Sequence, residues 1–107
     1  MDNDAIEDLF SGLGPVTIKR MFGGKGIYHN GLIVAIDLKG DVMLKADAES
    51  APAFAQEGAT QWQYEGKTPG KPVFMPYWTI PDAALDDPDE MTRWTRLAYE
   101  AAVRSVK

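Results

Sequence analysis

Residues 19–26, Lys19-Arg20-Met21-Phe22-Gly23-Gly24-Lys25-Gly26, mix three basic side chains with three glycines. Exposed backbone N–H groups beside Arg20 and Lys25 could cradle a phosphate or another anion. The spacing fits neither a Walker-type loop nor the dinucleotide fingerprint. A strand is expected to follow, so no helix N-terminus adds its dipole to anion binding. Glycines inside a strand usually mark a bulge or the close approach of another backbone, and a structural bulge is the favoured reading here. The alternative is a small anion site built from Arg20, the Gly23-Gly24 backbone and Lys25, joined by Lys67 and Lys71 if the two loops meet.

Other catalytic sets are missing from the sequence. The single histidine, His29, adjoins the Asn30-Gly31 pair and reads as a solvated turn residue rather than a base. Ser11, Ser50 and Ser105 fall on expected helices or their ends, with no nucleophile-elbow motif around them. The chain has no cysteine, which excludes disulfide frameworks, thiolate zinc sites and thiol nucleophiles. The acidic stretch from Asp82 to Glu90 lacks calcium-loop spacing and reads as a solvated loop. No catalytic residue, metal ligand or cofactor is expected.

The aromatics Trp62, Tyr64, Phe74, Tyr77 and Trp78 lie on expected strands. A stacking platform for single-stranded nucleic acid needs such rings interleaved with positive charge, and no basic residue is near Tyr77-Trp78 in sequence. Adjacent strand residues point to opposite faces. One of Tyr77 and Trp78 is therefore expected in the core, and the other under a helix or in a patch for a protein partner.

Sixteen acidic against eleven basic side chains give a net charge of −5. Unaided duplex DNA binding usually needs a basic footprint, so direct DNA binding by the chain alone is not expected. No run of apolar residues approaches a membrane span, and Met1-Asp2-Asn3-Asp4 is acidic where a signal peptide is basic. A cytoplasmic location is the default expectation. With 107 residues and 45% apolar content, a single domain over residues 1–107 with its own core is expected.

Periodicity supplies the elements that must position these residues. Ile6, Leu9, Phe10 and Leu13 form one helical stripe, started by an Asp4–Glu7 capping box and stopped at Gly14-Pro15. Residues 16–46 read as antiparallel strands. Asn30-Gly31 and Lys39-Gly40 serve as tight turns, and the run Leu32 to Ile36 is apolar on both faces, as suits a central strand. Residues 47–57 form a helix closed by Gly58, started either by Ser50 or by a turn upstream of Pro52. Trp62–Glu65 and Val73–Ile80 are two further strands, Pro76 implying an edge or a bulge. Asp87, Pro88 and Glu90 open a long final helix with Met91, Trp94, Ala98, Ala101 and Ala102 on its buried face. The order α-β-β-β-α-β-β-α predicts an α+β fold, two-layered, with a five-stranded antiparallel sheet and helices chiefly on one face.

The segment Arg20-Met21-Phe22-Gly23-Gly24-Lys25-Gly26-Ile27-Tyr28 resembles the opening motif of the TfoX N-terminal domain family, named for the TfoX/Sxy regulators of bacterial competence. Leu44-Lys45-Ala46-Asp47, Phe54 before Gly58, Tyr64-Glu65, Gly70-Lys71-Pro72-Val73-Phe74-Met75-Pro76-Tyr77-Trp78 with Pro81, Leu85 and Trp94 extend the similarity over nearly the whole chain. The resemblance implies a fold like that of secretion chaperones and a regulatory role. Full-length regulators of this type are coactivators that work with the cyclic-AMP receptor protein and carry a second, C-terminal domain, whereas the sequence to Lys107 accounts for the first domain only. The family brings no established catalytic residue. A non-enzymatic interaction module is thus the leading expectation, with a protein partner drawn from the transcription machinery or a second copy of the chain. Arg20, Phe22, Gly23, Gly24, Lys25, Tyr28, Lys71 and Tyr77 are its candidate contacts.

Overall fold

The computed structural model describes residues 1–21 and 23–106. The candidate Phe22 lies outside the described residues. Helix α1 runs Asn3–Leu9, and its cap is Asp2, whose carboxylate accepts from the Ala5 N–H. The start thus falls two residues before the expected Asp4, because Asp2 has the extended backbone that a capping residue needs. Ile6 and Phe10 are fully buried, with Leu9 and Leu13 beside them, so the apolar stripe packs as its spacing predicts.

The sheet has six antiparallel strands: β1 Thr17–Met21, β2 Gly24–His29, β3 Leu32–Leu38, β4 Asp41–Lys45, β5 Gln61–Glu65 and β6 Pro72–Thr79, in spatial order β1-β2-β3-β4-β6-β5. The expectation of five strands is corrected at the glycine-rich segment. Gly23 takes φ 73°, the chain reverses, and Met21 pairs with Gly24, so one interrupted strand becomes a hairpin. Gly24 also meets the expectation of close approach, because a Cβ there would run into the Asp37 carbonyl oxygen. The Asn30-Gly31 and Lys39-Gly40 turns form as read, with positive φ at all four positions.

Pro76 sits in an irregularity of the β5–β6 register rather than on an edge strand. Gln61 faces Trp78 while Gln63 faces Phe74, and β6 lies inside the sheet. Its pairing with β4 ends at Lys45–Tyr77, so residues 72–75 of β6 run on with β5 alone. A second irregularity, between Ile27 and Tyr28 of β2, shifts which face β3 presents. Leu32, Val34 and Ala35 join the main core, whereas Ile33, Ile36 and Leu38 join the opposite face.

Helix α2 is Ala51–Gln56. Its first turn begins upstream of Pro52, as one of the two sequence readings had it: the Asp47 carboxylate accepts from the Glu49 and Ser50 N–H groups, and Ser50 Oγ accepts from the Asp47 N–H. Residues 82–85 form a short helix α3, a correction to the expected acidic loop, because Ala84 is drawn into the core. Helix α4, Pro88–Ser105, is capped by Asp87, whose carboxylate accepts from the Asp89 and Glu90 N–H groups. Its Met91, Trp94, Ala98, Ala101 and Ala102 are buried as predicted. The Phe54 ring packs at a tilt against Trp94, 4.8 Å between centroids, and against Trp78 at 6.2 Å, fastening α2 and α4 to the sheet. Helices and sheet share one main core on one face of the sheet, as the two-layer α+β reading requires. No described helix is long and apolar enough to cross a membrane.

Candidate functional site

The face of the sheet turned away from the helices carries a second, smaller cluster. Ile36, Met43 and Tyr77 are nearly inaccessible, with Ile33, Leu38, Trp62 and Met75 packed on them. Alternation along each strand adds the remaining members. A Cβ on Gly26 would meet Met21, Tyr28 and Ile33, so these side chains converge there. Lys19 Nζ lies 5.0 Å above the Tyr28 ring, a cation–π geometry. Trp62 lies 5.8 Å from Tyr64 and 6.5 Å from Tyr77, and Tyr64 is 47% exposed. Burial first, and then the neighbouring Tyr28 phenol, push the Tyr77 hydroxyl above its ordinary pKa.

Tyr77 and Trp78 point to opposite faces, as expected, with Trp78 packed under the helices. The sequence reading found no cation near Tyr77, but the sheet supplies one: Lys45 is the direct cross-strand partner of Tyr77. That neighbour, 32 residues away in the chain, could be found only from the strand register.

The glycine-rich segment lies at the other end of the same sheet. Arg20, Gly23, Gly24 and Lys25 line a shallow basin of about 480 Å³ with Lys39, Gly40 and Met1. Lys25 is committed elsewhere, donating to the Met1 carbonyl and to Asn3 Oδ1, each at 2.9 Å. Beneath lies the buried carboxylate of Asp37, 3% exposed, which accepts from the Gly40 N–H at 3.0 Å and pairs with the Met1 ammonium at 3.5 Å. Lys71 does not join this group. It lines a separate depression with Gln63, Tyr64 and Glu65, and β3, β4 and β6 stand between the two in the sheet.

His29 is corrected from a solvated turn residue to a buried one. Its ring meets Tyr99 edge-on at 4.9 Å, and Nδ1 lies 2.7 Å from the Pro15 carbonyl oxygen. Both contacts are tertiary, and they tie the loop before β1 to α4.

The sequence reading also missed an ion-pair anchor. The Arg104 guanidinium grips Asp47 through two contacts, at 2.6 and 3.0 Å, and reaches Glu49 at 2.7 Å. The Arg104 hydrogen bond is the largest influence holding the Asp47 carboxyl well below the usual carboxylate range. Hydrogen bonds from Ser50 add to it, and burial opposes it. Among the described residues, no group of three or more His, Cys, Asp or Glu side chains could hold a metal ion. A larger cleft of about 620 Å³, lined mainly by apolar side chains such as Leu9, Val42, Trp62, Ile80 and Leu85, has Asp41 as its one carboxylate.

Against known proteins, residues 8–102 match the family model described as the TfoX N-terminal domain. No curated protein matches the sequence.

Proposed function

Because the chain belongs to the TfoX N-terminal domain family, we propose that it is a non-enzymatic regulatory module that acts by holding a protein partner. The transcription machinery of the cytoplasm is the setting that the family's competence regulators suggest. The observation that carries this reading is the overhang of the last hairpin. Where β6 runs past β4, Phe74 is 58% exposed and Val73 37% exposed. Exposed large apolar side chains on a projecting hairpin favour a partner that covers them, and β6 offers that partner an edge of unpaired backbone groups over residues 72–75. The anion-site alternative has weaker support, since Lys25 is tied to Met1 and Asn3 and a carboxylate lies under the basin.

Affinity capture with the intact chain and with Phe74→Ser, followed by light scattering of the recovered complex, tests the reading. The expected result is one stoichiometric protein partner that the wild type retains and the variant loses, together with altered transcript levels in cells deprived of the chain. A strictly monomeric protein that captures no partner refutes it, as does turnover of a substrate that one polar substitution abolishes.

A further inference from the structure

The two layers of this molecule carry opposite charge. Thirteen of the sixteen acidic residues lie in helices or the turns adjoining them, leaving only Asp37, Asp41 and Glu65 in the sheet and its hairpins. Seven of the eleven basic residues lie in the sheet layer. Among the described residues the sheet layer is therefore positive by four and the helical layer negative by ten, although the whole chain is acidic. The true imbalance is larger, since Asp37 is buried against the Met1 ammonium. Among the described residues, no lysine or arginine of the sheet layer enters an ion pair.

That uncompensated charge surrounds aromatic rings. Lys19 lies over Tyr28, Lys45 stands opposite Tyr77, and Tyr77 continues through Trp62 to the exposed Tyr64. Lys39 fringes one end of the sheet, and Lys67 and Lys71 the other, while Arg20, two residues on from Ile18, turns to the opposite face. Rings on an open sheet face, interleaved with free cations, are what an unpaired nucleic-acid strand needs: bases stack on the rings, and phosphates meet the cations. A second copy is a poor occupant, because two such faces meeting would bring like charges together. Duplex DNA hides its bases from rings set in a sheet.

We propose that the helix-free face of the sheet binds single-stranded nucleic acid, with Tyr28, Trp62 and Tyr64 as stacking surfaces and Lys19 and Lys45 as phosphate contacts. This site meets the protein partner inferred from the hairpin overhang only at Val73, which stands opposite Tyr64, whereas Phe74 shares its face with Gln63 and points away from it.

Fluorescence anisotropy of the intact chain tests it, using labelled oligo-dT and oligo-U probes of about twelve nucleotides, a duplex of equal length and an acidic peptide as competitors. Binding to at least one single-stranded probe is expected, weakening with added salt with a log–log slope of about −3 if four cations reach phosphates. Tyr64→Ala, at an exposed position, should weaken binding about tenfold without changing the circular dichroism spectrum. Lys45→Glu should weaken it further, while Arg96→Glu on the helical layer should leave it unchanged. No single-strand binding at low salt overturns the proposal. So does a duplex or acidic peptide that binds better than either single strand, or an Arg96→Glu loss as large as that of Lys45→Glu.

Discussion

Replacing the two adjacent glycines at 23 and 24 separates a structural motif from a ligand-binding one. Gly23 has φ 73°, and a Cβ there meets nothing within 4 Å. Gly23→Ala therefore costs only the left-handed backbone strain of an L-residue, about 1 kcal/mol. Gly24 is different. A Cβ there strikes the main-chain carbonyl oxygen of Asp37 and comes within 3.0 Å of Leu38 Cδ2. Backbone cannot rotate aside as a side-chain tip can, so β2 and β3 must part locally and strain their ladder. Overpacking of this kind costs about 2–3 kcal/mol. For a domain of this size that is a fall in Tm of roughly 10–20 °C, against roughly 4–8 °C for Gly23→Ala. Urea and thermal unfolding followed by circular dichroism measure both. The argument fails if the two variants are equally stable, or if Gly24→Ala is the milder. A Gly24→Ala protein with unchanged Tm but lost ligand binding would show that this segment is a site and not a packing device.

Asp47→Asn should flatten the acid limb of the stability curve. The folded-state pKa of Asp47 lies below its ordinary 3.8, so its contribution is fully present above about pH 4 and disappears as pH falls toward the folded value; an unchanged acid limb in urea titrations at stepped pH refutes this. Phe54→Ala, which empties a fully buried position between Trp78 and Trp94, should cost about 3–5 kcal/mol by chemical denaturation, and a loss under 1 kcal/mol would mean that this contact does not hold the layers together. Asp37→Ala should cost about 1–3 kcal/mol, since the Gly40 N–H and the Met1 ammonium both lose their partner; equal midpoints for variant and wild type count against it.

What the sequence revealed and what it hid divide along a physical line. Asp87, Pro88 and Glu90 announce α4 because a helix start is a contract among four neighbouring residues. Asn30-Gly31 and Lys39-Gly40 announce their hairpins for the same local reason. The turn at Gly23 was hidden because glycine permits both a bulge and a reversal, and only the pairing of Met21 with Gly24 decides between them. Helix α3 was hidden in an acidic run that favours solvent until Ala84 finds the core. His29 against Tyr99, Arg104 against Asp47 and Lys45 against Tyr77 were out of reach, since each joins residues distant in the chain through register or packing. The open sheet face is assembled almost wholly from such long-range neighbours.

Strands β1 to β4 follow one another as a meander, each closing on its neighbour through a short turn. The β5–β6 hairpin, reached after the chain has passed through α2, is held to that meander by a short ladder, Met43–Thr79, Leu44–Trp78 and Lys45–Tyr77, continued by the Ala46 N–H donating to the Pro76 carbonyl. The sheet thus has a seam. Amides near its far edge, Gln61 to Glu65, should exchange with solvent through a local opening well before global unfolding releases those of β3. When the seam parts, Tyr77 leaves with Trp62 and Tyr64 and is drawn away from Lys45, so the surface splits between its rings and that cation while the rest of the domain stays folded.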